Sequence, residues 1–417
     1  KVWNGKEIPA GISLRENLKY GSGREWIIEE EGIAGEINVE ITPQFCVKVG
    51  TALGSLKDDS VVGVASDFSA SASAFVQAVL SGIVSTGSSA LDFGSCIRPQ
   101  FDYCCRQSEC DFGVYISCRK TEVRISFTQD GSLPLRRSAE RKLEGYLNRG
   151  ETKQALPEHF GKTTDASGVA QLYPAALMRR AVCRLDGVQV RLKCSNPASR
   201  ELIETVLERL GCMLGDGTFL SISSDGKRLS AYDHKAGYLS EDFLKAVLCD
   251  LHLRQEDIAV PFDAPPALDY LAQRDGHRLY RYNRCSCDDS DREARLLAKA
   301  KPVTEDALLM AVELLSVLKK NGLTLREAAC AVPKFATAFA RVETQEPMPE
   351  LLQRLNIRTS KITEGIRLAD RLGELLIRPL KNGRGVWVYA QGKDAETAKE
   401  LCDFYRDLIK PREDEAK

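Results

Sequence analysis

The chain has no apolar run approaching the ~18 residues needed to cross a bilayer, and no secretory leader opens it. It also has no surplus of charge: 58 Lys and Arg against 59 Asp and Glu leave a formal net charge of −1. So flat a balance removes the electrostatic case for a nucleic-acid or anionic-membrane binder. Metal spacing is missing too. Fourteen Cys and four His look metal-rich, but Cys104-Cys105 with Cys110, and Cys285-x-Cys287, lack the paired Cys-x-x-Cys or Cys/His geometry of a zinc site. Cys46, Cys183, Cys194, Cys212 and Cys249 lie in apolar contexts and read as small core residues, structural thiols of a reducing, cytoplasmic compartment. Lys1 is not a start methionine, so the sequence is expected to be trimmed or excised from a longer one.

What is present is ordinary for a soluble globular protein: 417 residues, 43% apolar and 28% charged, enough for roughly two to four domains. The stretch Phe112 to Phe127 has apolar runs Val114–Ile116 and Val123–Phe127 around the polar bridge Ser117-Cys118-Arg119-Lys120-Thr121-Glu122. It reads as strand, exposed loop, strand, and such a loop in an α/β domain is where ligands and catalytic groups tend to sit. Upstream, Thr42-Pro43 is a helix start, Val61–Ala65 and Ala90–Phe93 are short buried strands, and Ser71–Ser85 and Arg98–Arg106 are helices. Helices alternating with short apolar strands predict an α/β chain of mixed or parallel sheets. The same alternation continues through strands at Val188–Leu192 and Leu220–Ser223 and the helix Ser240–Leu251, then Ile258–Pro261, Leu279–Tyr282 and the helix Glu305–Lys320. The polar run Asn283–Ala294 reads as turns, and Ile362–Leu372 as a helix. Near the end, Asn382-Gly383 between apolar strands is a hairpin signal, and Asp394–Leu408 a closing helix. Expected divisions fall at 1–30, 31–160, 161–257, 258–345 and 346–417. Within 1–30, apolar rungs at Trp3, Ile8, Ile12, Leu18 and Trp26 suit either a coil of left-handed β-helix or an extended strand packed on the next domain.

Three similar α/β units before a small α+β unit resemble the α-D-phosphohexomutase superfamily along nearly all of the chain after residue 31. Gly32-Ile33-Ala34-Gly35 with Ile41-Thr42-Pro43 is similar to the family's opening, and Gly113-Val114-Tyr115-Ile116 to the strand entering its phosphoserine loop. Ser224–Leu229 stands where the metal loop should be, and Leu375-Leu376-Ile377-Arg378-Pro379 where the phosphate-binding loop begins. A closer likeness is to a fusion subgroup in which a sugar-1-phosphate nucleotidyltransferase and a left-handed β-helix precede the mutase-like region. Lys6-Glu7-Ile8 and Leu18-Lys19-Tyr20-Gly21 resemble that junction, which favours a β-helix remnant for residues 1–30.

The resemblance implies four loops around one cleft: a phosphorylated serine, three aspartates holding Mg²⁺, a sugar-binding loop and a phosphate grip. Phosphoryl transfer needs its charge neutralised, and Mg²⁺ wants carboxylate oxygens. Here the serine's position is taken by Arg119, with Ser117 a substitute only if the loop slips by two residues. Arginine binds a phosphoryl group but cannot carry one. Of the metal loop only Asp225 survives, beside Lys227, and the plainer reading is a turn. The sugar loop is absent between Tyr282 and Glu305. The fourth loop keeps Arg378-Pro379 and continues Leu380-Lys381-Asn382-Gly383-Arg384, without Ser or Thr hydroxyls. Candidates for a residual anion-binding cleft are Arg119, Lys120, Arg228, Arg378, Lys381 and Arg384.

These losses predict a retained fold with degenerate chemistry: a scaffolding or sugar-phosphate-sensing module beside an upstream or partner nucleotidyltransferase. The alternative is an active phosphomannomutase or phosphoglucomutase with divergent loops, using Ser117, with Mg²⁺ as cofactor in that case alone. A third reading is a spacer without a ligand. The expected partner is a sugar phosphate, with no nucleic acid and no membrane, and with room for a homo-oligomer.

Overall fold

The computed structural model describes residues 25–284, 290–344, 346–355, 357 and 364–410. The β-helix reading of residues 1–30 falls almost wholly outside them. The chain divides into two compact units, Lys1–Tyr173 and Pro174–Lys417.

The first unit is built on six strands: β1 (Ile33–Glu36), β2 (Val61–Ser66), β3 (Ser89–Ser95), β4 (Phe112–Arg119), β5 (Glu122–Gln129) and β6 (Thr163–Asp165). They form one sheet in the order β1-β5-β4-β2-β3-β6. β2 pairs in parallel with β3 and β4, and β6 with β3, while β5 runs antiparallel to β4 and to β1. Because side chains alternate along a strand, Val62, Val64, Val114, Ile116, Val123 and Ile125 share one face and one core with three helices. Those helices are Pro43–Gly54, Ala72–Val84 and Arg137–Arg149. Thr42 caps the first as its sequence predicts, its hydroxyl accepting from the Phe45 N–H at 3.2 Å. The first two helices cross with glycine at the contact. A Cβ on Gly50 would stand 2.2 Å from the Val79 carbonyl oxygen, and one on Gly82 2.3 Å from that of Val47. On the opposite face lies the helix Arg98–Gln107, whose Phe101 ring packs 5.4 Å from Tyr115 of β4.

The second unit holds three sheets. β7 (Gln189–Cys194), β8 (Met213–Leu214), β9 (Thr218–Ile222), β10 (Leu229–Asp233) and β11 (Gly237–Leu239) are ordered β11-β10-β9-β7-β8. β12 (Ile258–Pro261) and β13 (Leu279–Tyr282) form a parallel pair. The last four strands are β14 (Ala336–Glu343), β15 (Ile366–Asp370), β16 (Gly373–Pro379) and β17 (Gly385–Gly392). Antiparallel in the order β14-β17-β16-β15, they enclose a core with the helix Ala395–Ile409. The helix Ala307–Asn321 is buried over most of its length and starts at Asp306, whose carboxylate accepts from the Leu308 and Leu309 N–H groups at 3.1 and 3.0 Å. No helix among the described residues is long and apolar enough to cross a membrane.

The mixed α/β architecture is as expected, and local elements differ in three places. Within the helix expected over Ile362–Leu372, the described residues hold a strand instead: Ile366–Asp370 is β15, paired residue by residue with β16. A strand partner one tight turn away outweighs local propensity. The polar run after Asn283 enters a helix at Arg292–Ala300. β14 starts at Ala336, so the last sheet reaches back before the division expected at 346.

Candidate functional site

The stretch that looked like an exposed loop is a tight hairpin. The β4–β5 ladder continues to Arg119 opposite Glu122, leaving only Lys120 and Thr121 to turn, with Lys120 at φ 53°. Arg119 and Lys120 are exposed at its tip, and Ser117 sits half-buried opposite Arg124. Two acids, Glu31 and Glu122, pair with the Arg124 guanidinium. The loop after β2 is fastened to the same end of the sheet. Asp67 Oδ2 accepts from the Cys118 N–H at 2.8 Å, and Oδ1 accepts from the Ser69 N–H at 3.1 Å and from its hydroxyl. Ser69, bound to a carboxylate beside the end of β4, is a hydroxyl that the sequence reading passed over.

In the second unit the turn Ser223–Arg228 joins β9 to β10. Asp225 serves its own loop, accepting from the Ser223 hydroxyl and from the Lys227 N–H at 3.1 Å. Burial alone would raise this carboxyl. The Ser223 hydroxyl and the Lys227 N–H and charge outweigh it and hold it below the usual carboxylate range. Arg228 turns outward to Glu241 at 3.4 Å. Among the described residues no group of three or more His, Cys, Asp or Glu is placed to hold a metal ion. The Mg²⁺ that the resemblance implies for a working mutase does not fit the donors of this turn.

The phosphate-loop candidates separate. Lys381 and Arg384 belong to the β16–β17 hairpin tip, where Gly383 turns at φ 69° and Arg384 is exposed. Arg378 is instead buried, 3% exposed, inside an ion cluster that sequence reasoning missed. Its Nη1 lies 3.3 Å from Asp263 Oδ2 and 3.7 Å from Glu364 Oε1. Arg284 Nε reaches Asp263 Oδ1 and Oδ2 at 3.1 and 2.9 Å, and its Nη2 lies 3.5 Å from Glu305 Oε1. Burial pushes against the charge of Asp263, and Arg284 and Arg378 outweigh it and keep its carboxyl low. For Glu364, burial and the neighbouring Asp263 win over Arg378 and raise the carboxyl to about 7. Beside Arg378 in its Arg-Pro motif, the local signal was Asp263, two residues past a buried strand, where ligands collect in α/β sheets.

With that geometry in view, comparisons with known proteins are informative. Residues 27–154 match the family "Phosphoglucomutase/phosphomannomutase, alpha/beta/alpha domain I". The structure of a phosphoglucomutase/phosphomannomutase family protein from Burkholderia thailandensis superposes with a TM-score of 0.70 at 14% identity, covering 92% of this chain and 96% of that one. The fold is that of the phosphohexomutases. The domain I match covers residues 27–154 alone, and the structural likeness shows the fold. The probable phosphoglucosamine mutase of Methanopyrus kandleri is 21% identical over 91% of this chain and 96% of its own length. The phosphoglucosamine mutase of Bacillus subtilis is 24% identical over the same shares. These matches correct the expectation of a catalytically degenerate module: along 91% of the chain the relatives bear the name of a mutase. They lend no support to the finer resemblance, a nucleotidyltransferase fusion.

Proposed function

We propose that the chain is a phosphohexomutase acting on a hexosamine phosphate, an intramolecular phosphotransferase that interconverts the 6-phosphate and the 1-phosphate. The observation that carries this is the match to phosphoglucosamine mutases over 91% of this chain and 96% of theirs, so the resemblance takes in both units. Ser117 is the proposed phosphoryl carrier, half-buried at the end of β4 with the Arg124 guanidinium opposite. Its phosphoryl group passes to the free sugar hydroxyl, forming a P–O bond to the sugar as the Ser117 P–O bond breaks. The bisphosphate then returns its other phosphoryl group to Ser117, so no phosphate is consumed. The exposed cations Arg119 and Lys120 are suited to holding the phosphate through these exchanges. Hexosamine 1-phosphate is the class of substrate that a nucleotidyltransferase consumes, and a partner of that activity belongs to this proposal.

The test is a coupled assay of the purified chain with glucosamine 6-phosphate, a hexose bisphosphate activator and Mg²⁺, with glucose and mannose 6-phosphates as comparison substrates. Turnover of the amino sugar, a phosphoryl group mapped to Ser117, and a loss of at least about a thousandfold in Ser117→Ala are expected. No interconversion of any of the three sugars would sink the proposal. Turnover surviving in Ser117→Ala but lost in Ser69→Ala would move the carrier to Ser69.

A further inference from the structure

The outermost strand of a sheet leaves a row of backbone groups without partners, and proteins keep such edges short, interrupted or covered. Elsewhere among the described residues the outer strands are short: two residues in β8, three in β6 and β11, four in β1, β12 and β13, five in β15. β14 is the exception. It runs for eight residues, Ala336–Glu343, pairs with β17 on one side in an unshifted register, and has no strand on its other side among the described residues. No proline, lysine or glycine interrupts it. At its middle stands Phe339, 70% exposed, the most exposed large apolar side chain among the described residues. Its ring lies 6.2 Å from that of Trp387 and 6.5 Å from that of Tyr389, so the aromatic surface continues inward from the edge onto β17.

The charges along this edge suit a second copy of itself. Thr337, Phe339, Arg341 and Glu343 are exposed, and they alternate with Ala338, Ala340 and Val342, which join the core beneath the sheet. At the start of the strand the Thr337 hydroxyl donates to Asp242 Oδ2 at 2.7 Å, which fixes an acid there, and the exposed Lys334 lies just before. At its end Arg341 and Glu343 have no ion pair among the described residues. An antiparallel copy of β14 brings the start of one strand against the end of the other. Residues directly opposite share a face, so the outer faces stay together only when odd positions meet odd ones. With a two-fold axis at Phe339, that ring meets its own copy, Arg341 comes opposite Thr337 and its Asp242, and Glu343 comes beside Lys334. Moving the axis to Ala340 would set Glu343 against Asp242. Moving it to Arg341 would set that guanidinium against itself.

We propose that the β14 edge is a self-association surface, on which two copies of this chain join their last sheets, four strands from each, about a two-fold axis at Phe339. The backbone groups left open along one edge pair with those of the other. Across the junction the side chains form the row Tyr389, Phe339, Phe339, Tyr389, flanked on each side by an Arg341–Asp242 pair between the copies. The inference goes beyond the mutase reading and does not depend on it, since none of these residues belongs to a loop assigned to the chemistry. One added strand with its flanking side chains buries less than the ~1,600 Å² of a standard interface, which makes the dimer reversible, with a dissociation constant on the order of 10 µM.

The experiment is sedimentation equilibrium of the full chain from about 1 to about 200 µM, a range that spans a dimer of that strength. Wild type should pass from monomer to dimer and stop there, because a two-fold contact closes on itself. Phe339→Lys sets two like charges at the axis and should weaken association at least about tenfold. Its circular dichroism and melting should stay those of wild type, since the side chain it replaces is exposed. Arg341→Asp should weaken association by a similar factor, and Arg341→Asp combined with Asp242→Arg should restore it to within about threefold of wild type. A monomer at every concentration overturns the proposal, as does a dimer that Phe339→Lys leaves unchanged. Failure of the exchanged charges to restore association overturns the pairing centred on Phe339.

Discussion

Replacing Glu364 by Gln should stabilise the protein at neutral and alkaline pH, although the side chain is buried and polar. In the folded chain the Glu364 carboxyl is raised from 4.5 to about 7 by burial first and by the Asp263 charge second. A group whose folded value lies above its unfolded one binds its proton more tightly in the native state. Stability is therefore lost as pH rises between the two values. The penalty is absent below pH 4.5, grows between 4.5 and about 7, and is complete above that. At about 1.4 kcal/mol for each pH unit, the interval from 4.5 to about 7 corresponds to about 3 kcal/mol. Glutamine is nearly isosteric, never ionises, and still accepts from the Arg284 N–H. The assay is urea denaturation of wild type and Glu364→Gln from pH 4.5 to 8.5, followed by circular dichroism and resolved into the transitions of the two units. The variant should match wild type near pH 4.5 and exceed it by up to about 3 kcal/mol at pH 8 in one transition only. A variant less stable than wild type at pH 8, or a difference that does not change with pH, would refute the reasoning.

Two other outcomes follow from packing and turn chemistry. Gly82→Ala should lower the melting transition of the first unit by roughly 5 to 10 °C, because the new Cβ meets the Val47 carbonyl oxygen and the Thr51 nitrogen, backbone atoms that no rotamer change can move. Ser81→Ala, on the exposed side of the same helix, is the control and should melt with wild type. Asp225→Asn should cost about 1 kcal/mol by weakening the turn between β9 and β10, and Mg²⁺ should protect variant and wild type equally against heat. Protection confined to wild type would make Asp225 a metal ligand.

Elements that announce themselves within a few residues could be read from the sequence. Thr42-Pro43 and Asn382-Gly383 carry their own cap and turn, and the apolar runs at Val61, Ala90 and Ile258 are strands wherever they pair. Failures came where pairing decided. Ser117–Glu122 has the polarity of a loop, but the ladder closes to Arg119 opposite Glu122 because β5 follows at once. Ile366–Asp370 is a strand only because β16 lies one turn away. The ion cluster was out of reach for the same reason: Asp263, Arg284, Glu305, Glu364 and Arg378 come from five separate stretches, and the Arg378-Pro379 motif does not point to the other four. The functional reading erred differently. Missing loop residues read as missing chemistry, whereas the relatives matched along both units bear the name of mutases.

The cluster also says something about how the second unit must assemble. Glu364 lies two residues before the first residue of β15, and Arg378 lies on β16, next to the pair Ile366 and Ile377. Asp263 and Arg284 each follow, by two residues, the last pair of the β12–β13 ladder, Pro261 and Tyr282. Four charges are thus pinned to the ends of two independent ladders. A slip of one residue in either would turn a side chain to the opposite face and leave a charge enclosed without its counterpart, at a cost of several kcal/mol. Misaligned sheets are therefore rejected by electrostatics as well as by packing, and the buried ion cluster acts as a check on the alignment of the strands that carry it.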